Sequence, residues 1–293
     1  MRLVTFDDGK GARVGILDAS AKTIIDLCVG DLPRDMIALI ALGADGLERT
    51  KRAAATAPRL AADAVRLLAP IPRPARNIFC VGKNYHEHAH EFHSSGFDAS
   101  AGATAVPDVP IIFTKPPSTV IGPGTPIPAH LDPTNSVDYE GELTVVIGKG
   151  GRGIPRSRAF EHVYGYTIIN DVTARTLQHR HKQWFLGKSI DGFCPMGPVL
   201  LTADEVPDVG AMHLVTRVNG EVRQDAKVAN LIFDIPTLIE TISAGITLEP
   251  GDLIATGTPS GVGIGFKPPK YLKKGDVVSI TIDPIGELVN PVD

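Results

Sequence analysis

The chain has 293 residues, 43% of them hydrophobic and 21% charged, with a net charge of −4. That is an ordinary globular composition, long enough for one large domain and a small one. The acidic balance and the lack of any Lys/Arg-rich run argue against a nucleic-acid partner, and no apolar stretch approaches the roughly 18 residues that cross a bilayer.

The N-terminus, Met1 to Phe6, runs into Asp7 and Asp8 instead of a long apolar segment, so cytosol is the expected compartment. Residues 2–6 and 12–17 read as short strands joined by a turn-rich Asp7–Gly11. Pro33 precedes a helical pattern from Met36 to Leu42 that Gly43 could close. An Ala-rich stretch over residues 46–67 reads as helix apart from Pro58. The alternate prolines Pro70, Pro72 and Pro74 impose an extended linker, which places a boundary between a small α+β domain at 1–70 and a main domain at 75–293.

Beyond residue 75 strands dominate, with candidates at 142–148, 164–170, 197–202, 213–218, 221–224, 252–256 and 277–282. Asn219-Gly220 is a hairpin signal, and Asp234 to Ala244 reads as a capped helix followed by Gly245. The expected class is α+β and β-rich, because strands cluster instead of alternating with helices. Residues 92–110, rich in Ala, Ser, Gly and Pro, read as a lid or a plain flexible insertion. Cys28, Cys80 and Cys194 are widely spaced and odd in number, which suits buried thiols in a reducing compartment.

Glu140 and Glu142 lead into an apolar β-branched run, and Asp171 ends a second one. In a strand the two glutamates would point to one side, where like charges are costly unless a cation sits between them. Three carboxylates on neighbouring strand ends suit a hard divalent ion. A bare Glu-x-Glu is more often a solvated edge, so the company it keeps decides.

That company includes Asn84-Tyr85-His86-Glu87-His88-Ala89-His90-Glu91. As a strand it would align His86, His88 and His90 for zinc; as a helix it would place Glu91 beside His88 to orient a general base. The dyad is the favoured reading, against a background of solvated surface histidines. Lys188, flanked by apolar residues and glycine near the single tryptophan, could stabilise an enolate or carboxylate, although a snorkelling lysine has the same surroundings. The loop Thr256-Gly257-Thr258-Pro259-Ser260-Gly261-Val262-Gly263 could bring backbone amides and the Thr258 hydroxyl to an anion.

In order, residues 84–91, 138–143, 165–175, 187–191 and 256–263 resemble the fumarylacetoacetate hydrolase family. The resemblance spans about residues 75–290; the first 70 match only in general character. It implies a mixed β-roll, one Mg²⁺ or Mn²⁺, and a homodimer. On the family pattern Glu140, Glu142 and Asp171 are the metal ligands, His88 and Glu91 activate water, and Lys188 stabilises negative charge. Tyr85, Arg175, Gln178 and Thr258 fall on the substrate side, although Arg175 could be structural. Thr176 stands where many relatives carry an acid, which leaves the surroundings of the ligands less defined.

The implied substrate is a small 2-oxo acid. The expected reaction is metal-dependent C–C hydrolysis of a 2,4-dioxo (acylpyruvate-type) acid, because the dyad makes water attack available. Oxaloacetate decarboxylation, isomerisation or hydration of a dienoic 2-oxo acid, and a non-catalytic dimer are the alternatives. The complete set of His88, Glu91, Glu140, Glu142, Asp171 and Lys188 argues against the last.

Overall fold

The computed structural model describes residues 1–28, 31–98 and 104–293. Its backbone is one long mixed sheet. The strands follow one another in space as Arg59–Ala61, Thr23–Asp26, Arg13–Leu17, Arg2–Asp7, Cys194–Thr202, Val163–Asn170, Gly141–Ile147, Leu253–Ala255, Ile78–Gly82 and Ile111–Lys115. A separate four-stranded sheet is built from Glu221–Lys227, His213–Val218, Val277–Asp283 and Gly286–Pro291. The sheet passes without a break from the N-terminal strands into the main body, through the antiparallel pairs Arg2 with Leu201 and Leu3 with Leu200. The proline-rich 70–74 segment therefore connects two parts of one sheet.

The centre of the sheet explains itself from composition. Gly141–Ile147 is buried along its whole length, and Val163–Asn170 is buried from Tyr164 onward. Leu143, Val145 and Ile147 enter one apolar core while Val146 enters another, as the two-residue repeat of a strand covered on both faces requires. The register pairs Gly141 with Asn170 and Glu142 with Ile169. The start of one strand thus meets the end of its antiparallel neighbour, and Glu140, Glu142 and Asp171 converge at that end.

Most expected elements are present with small shifts. Asn219 (φ +53°) and Gly220 (φ +82°) both adopt the left-handed conformation that a two-residue hairpin turn needs. Ile235–Ser243 is a helix capped by Asp234, whose carboxylate accepts from the Thr237 amide at 3.0 Å. The Ala-rich stretch is the main correction. Helix ends at Ala54, and beyond it Arg59–Ala61 and Arg66–Leu68 are short strands that pair with Thr23–Asp26 and Arg2–Asp7. Alanine's helix preference is small enough for such pairing to override it. Gly43 does not simply close a helix either: it opens a second one, Gly43–Ala54, directly after Met36–Ala41.

Candidate active site and metal centre

His86–Ser94 is an α-helix, so the three alternate histidines separate: His88 is buried while His86 and His90 are exposed. The strand-borne zinc arrangement is excluded by this geometry. His88 Nδ1 lies 3.2 Å from Glu91 Oε2. An ionised carboxylate only accepts, so Nδ1 is the donor in this contact, and Nε2 is the ring nitrogen that Glu91 leaves available. The other carboxylate oxygen, Glu91 Oε1, accepts from the Gly261 amide at 2.9 Å, and Glu87 accepts from the Ser260 hydroxyl at 3.1 Å. The helix is thereby pinned to the glycine-rich loop by two acids. Beneath it, Phe92 packs edge-on against Trp184 within a small apolar cluster that includes Val262 and Ile264.

Glu140, Glu142 and Asp171 bring one carboxylate oxygen each within 4.8 Å of one another, and all three residues are buried. Their partners differ. Glu140 is held by Arg175 Nη1 at 2.6 Å and Lys188 Nζ at 2.8 Å. Burial pushes its carboxyl up, yet these two cations outweigh burial and hold it down to about 2. Asp171 lies 2.7 Å from Lys188 Nζ and 2.8 Å from Lys115 Nζ. Among the described residues no cation forms an ion pair with Glu142, and the Gly257 amide donates to it at 2.9 Å. Burial, and then the charges of Asp171 and Glu140, raise its carboxyl well above the ordinary range.

The donor set fits a divalent cation. Asp138, Glu140, Glu142 and Asp171 face Lys115, Arg175 and Lys188, so with every group ionised the buried cluster carries one excess negative charge. The excess falls on Glu142. In addition, Asp171 Oδ1 is buried with no aligned hydrogen-bond donor, despite the nearby Lys115 charge. All-oxygen ligation by carboxylates suits Mg²⁺ or Mn²⁺ better than a soft metal.

A cleft opens beside these acids, and His88, Glu140, Arg175, Gln178, Lys188 and Thr258 line it. Trp184, Phe92 and Phe113 supply its apolar wall. Lys188 ends the short helix Phe185–Lys188 and is buried, so the snorkelling reading does not apply. Burial would lower its ammonium's pKa, but Asp171 and Glu140 raise it above the ordinary lysine value, so it stays charged. Two of its three donors go to those carboxylates, which leaves one. Arg175 gives Nε to Asp138 at 2.9 Å and Nη1 to Gln178 at 3.2 Å, while Nη2 is buried with no hydrogen-bond partner among the described residues. Thr258 lines the cleft, but its hydroxyl donates to Gly141 O at 3.0 Å and accepts from Gln224 at 2.7 Å. Tyr85 is not among the residues that line it and borders a separate hollow with His86, Glu87 and Asp225.

The glycine-rich loop does present amides to anions, but the anions are the protein's own. Gly257 serves Glu142, Gly261 serves Glu91, and Gly263 and Ile264 serve Asp138 at 2.7 and 3.0 Å. Gly257 and Gly261 both have φ +100°, and a Cβ on Gly261 would lie 1.8 Å from Arg223 O, so neither position admits another residue without movement.

Residues 77–293 match the family described as fumarylacetoacetate (FAA) hydrolase C-terminal. The chain belongs to the fumarylacetoacetate hydrolase family. It is 54% identical over 228 residues to oxaloacetate tautomerase YisK of Bacillus subtilis, across 78% of this chain and 73% of that protein. Among solved structures it resembles the fumarylacetoacetate hydrolase of Exiguobacterium antarcticum, with 43% identity and a TM-score of 0.85 over 100% of this chain and 99% of that one. It also resembles the maleylpyruvate hydrolase of Sphingobium sp. SYK-6 in complex with manganese(II) ion and pyruvate, with 32% identity and a TM-score of 0.80 over 100% and 98% of the two chains. The strand-rich α+β architecture is therefore the fumarylacetoacetate hydrolase fold, and the acidic triad occupies a chain whose homologue holds Mn²⁺.

Three structural participants carry no sequence signal of their own. Lys115 is fully buried at the end of Ile111–Lys115; its ammonium donates to Val172 O at 3.0 Å and to Lys188 O while facing Asp171. Asp138 anchors Arg175 and the 263–264 amides. Asn84 ties its turn to two loops, donating to Thr256 O at 2.7 Å and Phe233 O at 3.0 Å. Asp138 and Asn84 lie inside the family motifs, which is the clue that could have flagged them; Lys115 lies outside all five. Of the 92–110 segment, residues 92–94 belong to the His86–Ser94 helix, and 99–103 lie outside the described residues.

Proposed function

We propose that the protein is a Mg²⁺-dependent enzyme of small 2-oxo acids that works through an enolate at C3, with keto–enol tautomerisation of oxaloacetate as its reaction. The observation that carries this is a buried His88, paired with Glu91, facing the same cleft as a charged lysine beside a three-carboxylate cradle. Identity of 54% with an oxaloacetate tautomerase supports the choice among enolate reactions. When bound in the cradle, the cation supplies Lewis-acid polarisation of the 2-oxo group.

The chain's own residues do the rest. His88 Nε2 takes the proton from C3, and Glu91 stabilises the imidazolium through Nδ1–H. The remaining donor of Lys188 and the unpartnered Nη2 of Arg175 offer positive charge to the substrate carboxylate and to the oxygen on which charge develops. Returning the proton to that oxygen completes the enol with no net gain or loss of atoms. The apolar wall of Phe92, Phe113 and Trp184 excludes water and strengthens each of these charges.

C–C hydrolysis of acylpyruvates, the reaction expected from sequence, is the second reading. The same dyad can take its proton from water, and the likeness to a maleylpyruvate hydrolase favours it. One assay separates them. Oxaloacetate enol is followed by its ultraviolet absorbance, and pyruvate release from acetylpyruvate by a coupled dehydrogenase, each with Mg²⁺, Mn²⁺ or EDTA. Metal-dependent enol–keto conversion without pyruvate supports the tautomerase, pyruvate from acetylpyruvate supports the hydrolase, and inactivity in both sinks the enolate reading.

A further inference from the structure

Besides the cations of the cradle, the cleft is lined by Lys83. Arg175 and Lys188 bond to the cradle carboxylates, and Lys115 lies behind them. Lys83 instead pairs with Asp98, four residues past the dyad helix, at 2.8 Å. The two side chains are only 3% and 2% exposed. A buried ion pair gives little net stability, because desolvation offsets its Coulomb energy, so stability alone is a weak reason to place one on a cleft wall.

The backbone points the same way. Lys83 follows the strand Ile78–Gly82 in a left-handed conformation, φ +56°, which non-glycine residues adopt at a cost. The neighbouring Asn84 locks that turn to the loop that carries Gly257, and Gly257 in turn holds Glu142. Lys83 thus follows a turn tied through Asn84 and Gly257 to the carboxylate cradle, and it lines the same cleft as His88 and Glu140. Its present partner is itself a carboxylate.

We propose that Lys83 is the specificity-determining residue for the distal carboxylate of a dicarboxylic 2-oxo acid, and that Asp98 is the carboxylate it exchanges for substrate. The exchange keeps the ammonium compensated in a low-dielectric wall throughout. His93, whose Nδ1 lies 3.7 Å from Asp98, stands beside the released carboxylate. This deepens the 2-oxo-acid reading of the site and rests on it. The substrate class becomes acids with a carboxylate at each end, as in oxaloacetate.

The test compares oxaloacetate with 2-oxobutanoate, equal in carbon count and differing in the distal carboxylate. Binding to the Mn²⁺-loaded protein is read from the fluorescence of Trp184, the chain's single tryptophan and a wall of the cleft. Wild type should prefer the diacid. Lys83→Met should weaken the diacid about tenfold or more, the scale of one charge-assisted hydrogen bond, while leaving the monoacid unchanged. Lys83→Arg should restore part of the preference, and Asp98→Asn should tighten diacid binding by weakening the competitor. Equal weakening of both acids by Lys83→Met would make the pair a structural staple and overturn the inference, as would a wild type that does not discriminate. Failure of wild type to bind either acid would overturn the 2-oxo-acid reading as well, which distinguishes the two failures.

Discussion

Glu142→Gln should separate the need for a metal from the need for a well-packed fold. Glu142 accepts one amide hydrogen bond, from Gly257, and faces Glu140 and Asp171 without a cation of its own. A glutamine keeps that bond through its carbonyl oxygen and removes the surplus charge. The metal-free variant should therefore melt at or above the wild-type temperature at neutral pH, against the usual loss of about 0.5–3 kcal/mol for a point substitution. Its response to metal should shrink to a small fraction of the wild-type response. For a chain of 293 residues the unfolding entropy is about 0.6 kcal/mol per degree. Mg²⁺ at about 100 times its dissociation constant adds about 2.7 kcal/mol, or about 4 °C, to wild type. If the substitution weakens binding about 100-fold, the same concentration adds about 0.4 kcal/mol, under about 1 °C. Scanning calorimetry with EDTA and with MgCl₂ reads both effects. A full metal shift in the variant would refute the ligand assignment. A metal-free variant destabilised by more than about 3 kcal/mol would refute the charge argument.

His88→Ala should lower enol–keto turnover by about 10²–10⁴-fold while metal titrations remain as in wild type; loss of metal binding would place His88 in the cradle instead. Lys115→Met strips one of the two cations facing Asp171 and removes the donor to Val172 O and Lys188 O, so the metal-free protein should lose about 3–5 kcal/mol, or about 5–8 °C, in calorimetry. An unchanged melting temperature would show that Asp171 does not depend on it. The acids also set opposite pH dependences. Glu142, raised in the metal-free fold, contributes stability that is complete below its ordinary value of 4.5 and is lost as pH rises through its folded value. The metal-induced melting shift should therefore grow with pH, and a pH-independent shift between about 5 and 8 would contradict this. Glu140, held down to about 2, contributes stability above 4.5 that is lost as pH falls towards about 2.

What the sequence disclosed follows from interaction range. Glu140 with Glu142 and His88 with Glu91 are short-range patterns that local periodicity exposes, and Asn219-Gly220 dictates its own turn. The two strands after Ala54 were hidden because edge strands of three residues owe their existence to partners far along the chain. Lys115 was hidden for the same reason: it meets Asp171 56 residues later, and nothing around it signals burial. The loop at 256–263 was legible as an anion-binding backbone, but composition could not say whose anions, and the fold supplies Glu142, Glu91 and Asp138.

That last point orders the site. Each acid is defined by what neutralises it. Glu140 has two cations and stays ionised, Asp171 has Lys188 and Lys115, and Glu91 has an amide and an imidazole. Glu142 has an amide alone. On the proposed reading a divalent cation would complete Glu142, while the Lys188 ammonium and the Arg175 guanidinium that restrain Glu140 and Asp171 also line the cleft. The arrangement that makes the cradle tolerable to fold is thus the one that keeps positive charge in the cleft, where the proposed 2-oxo-acid substrate would need it.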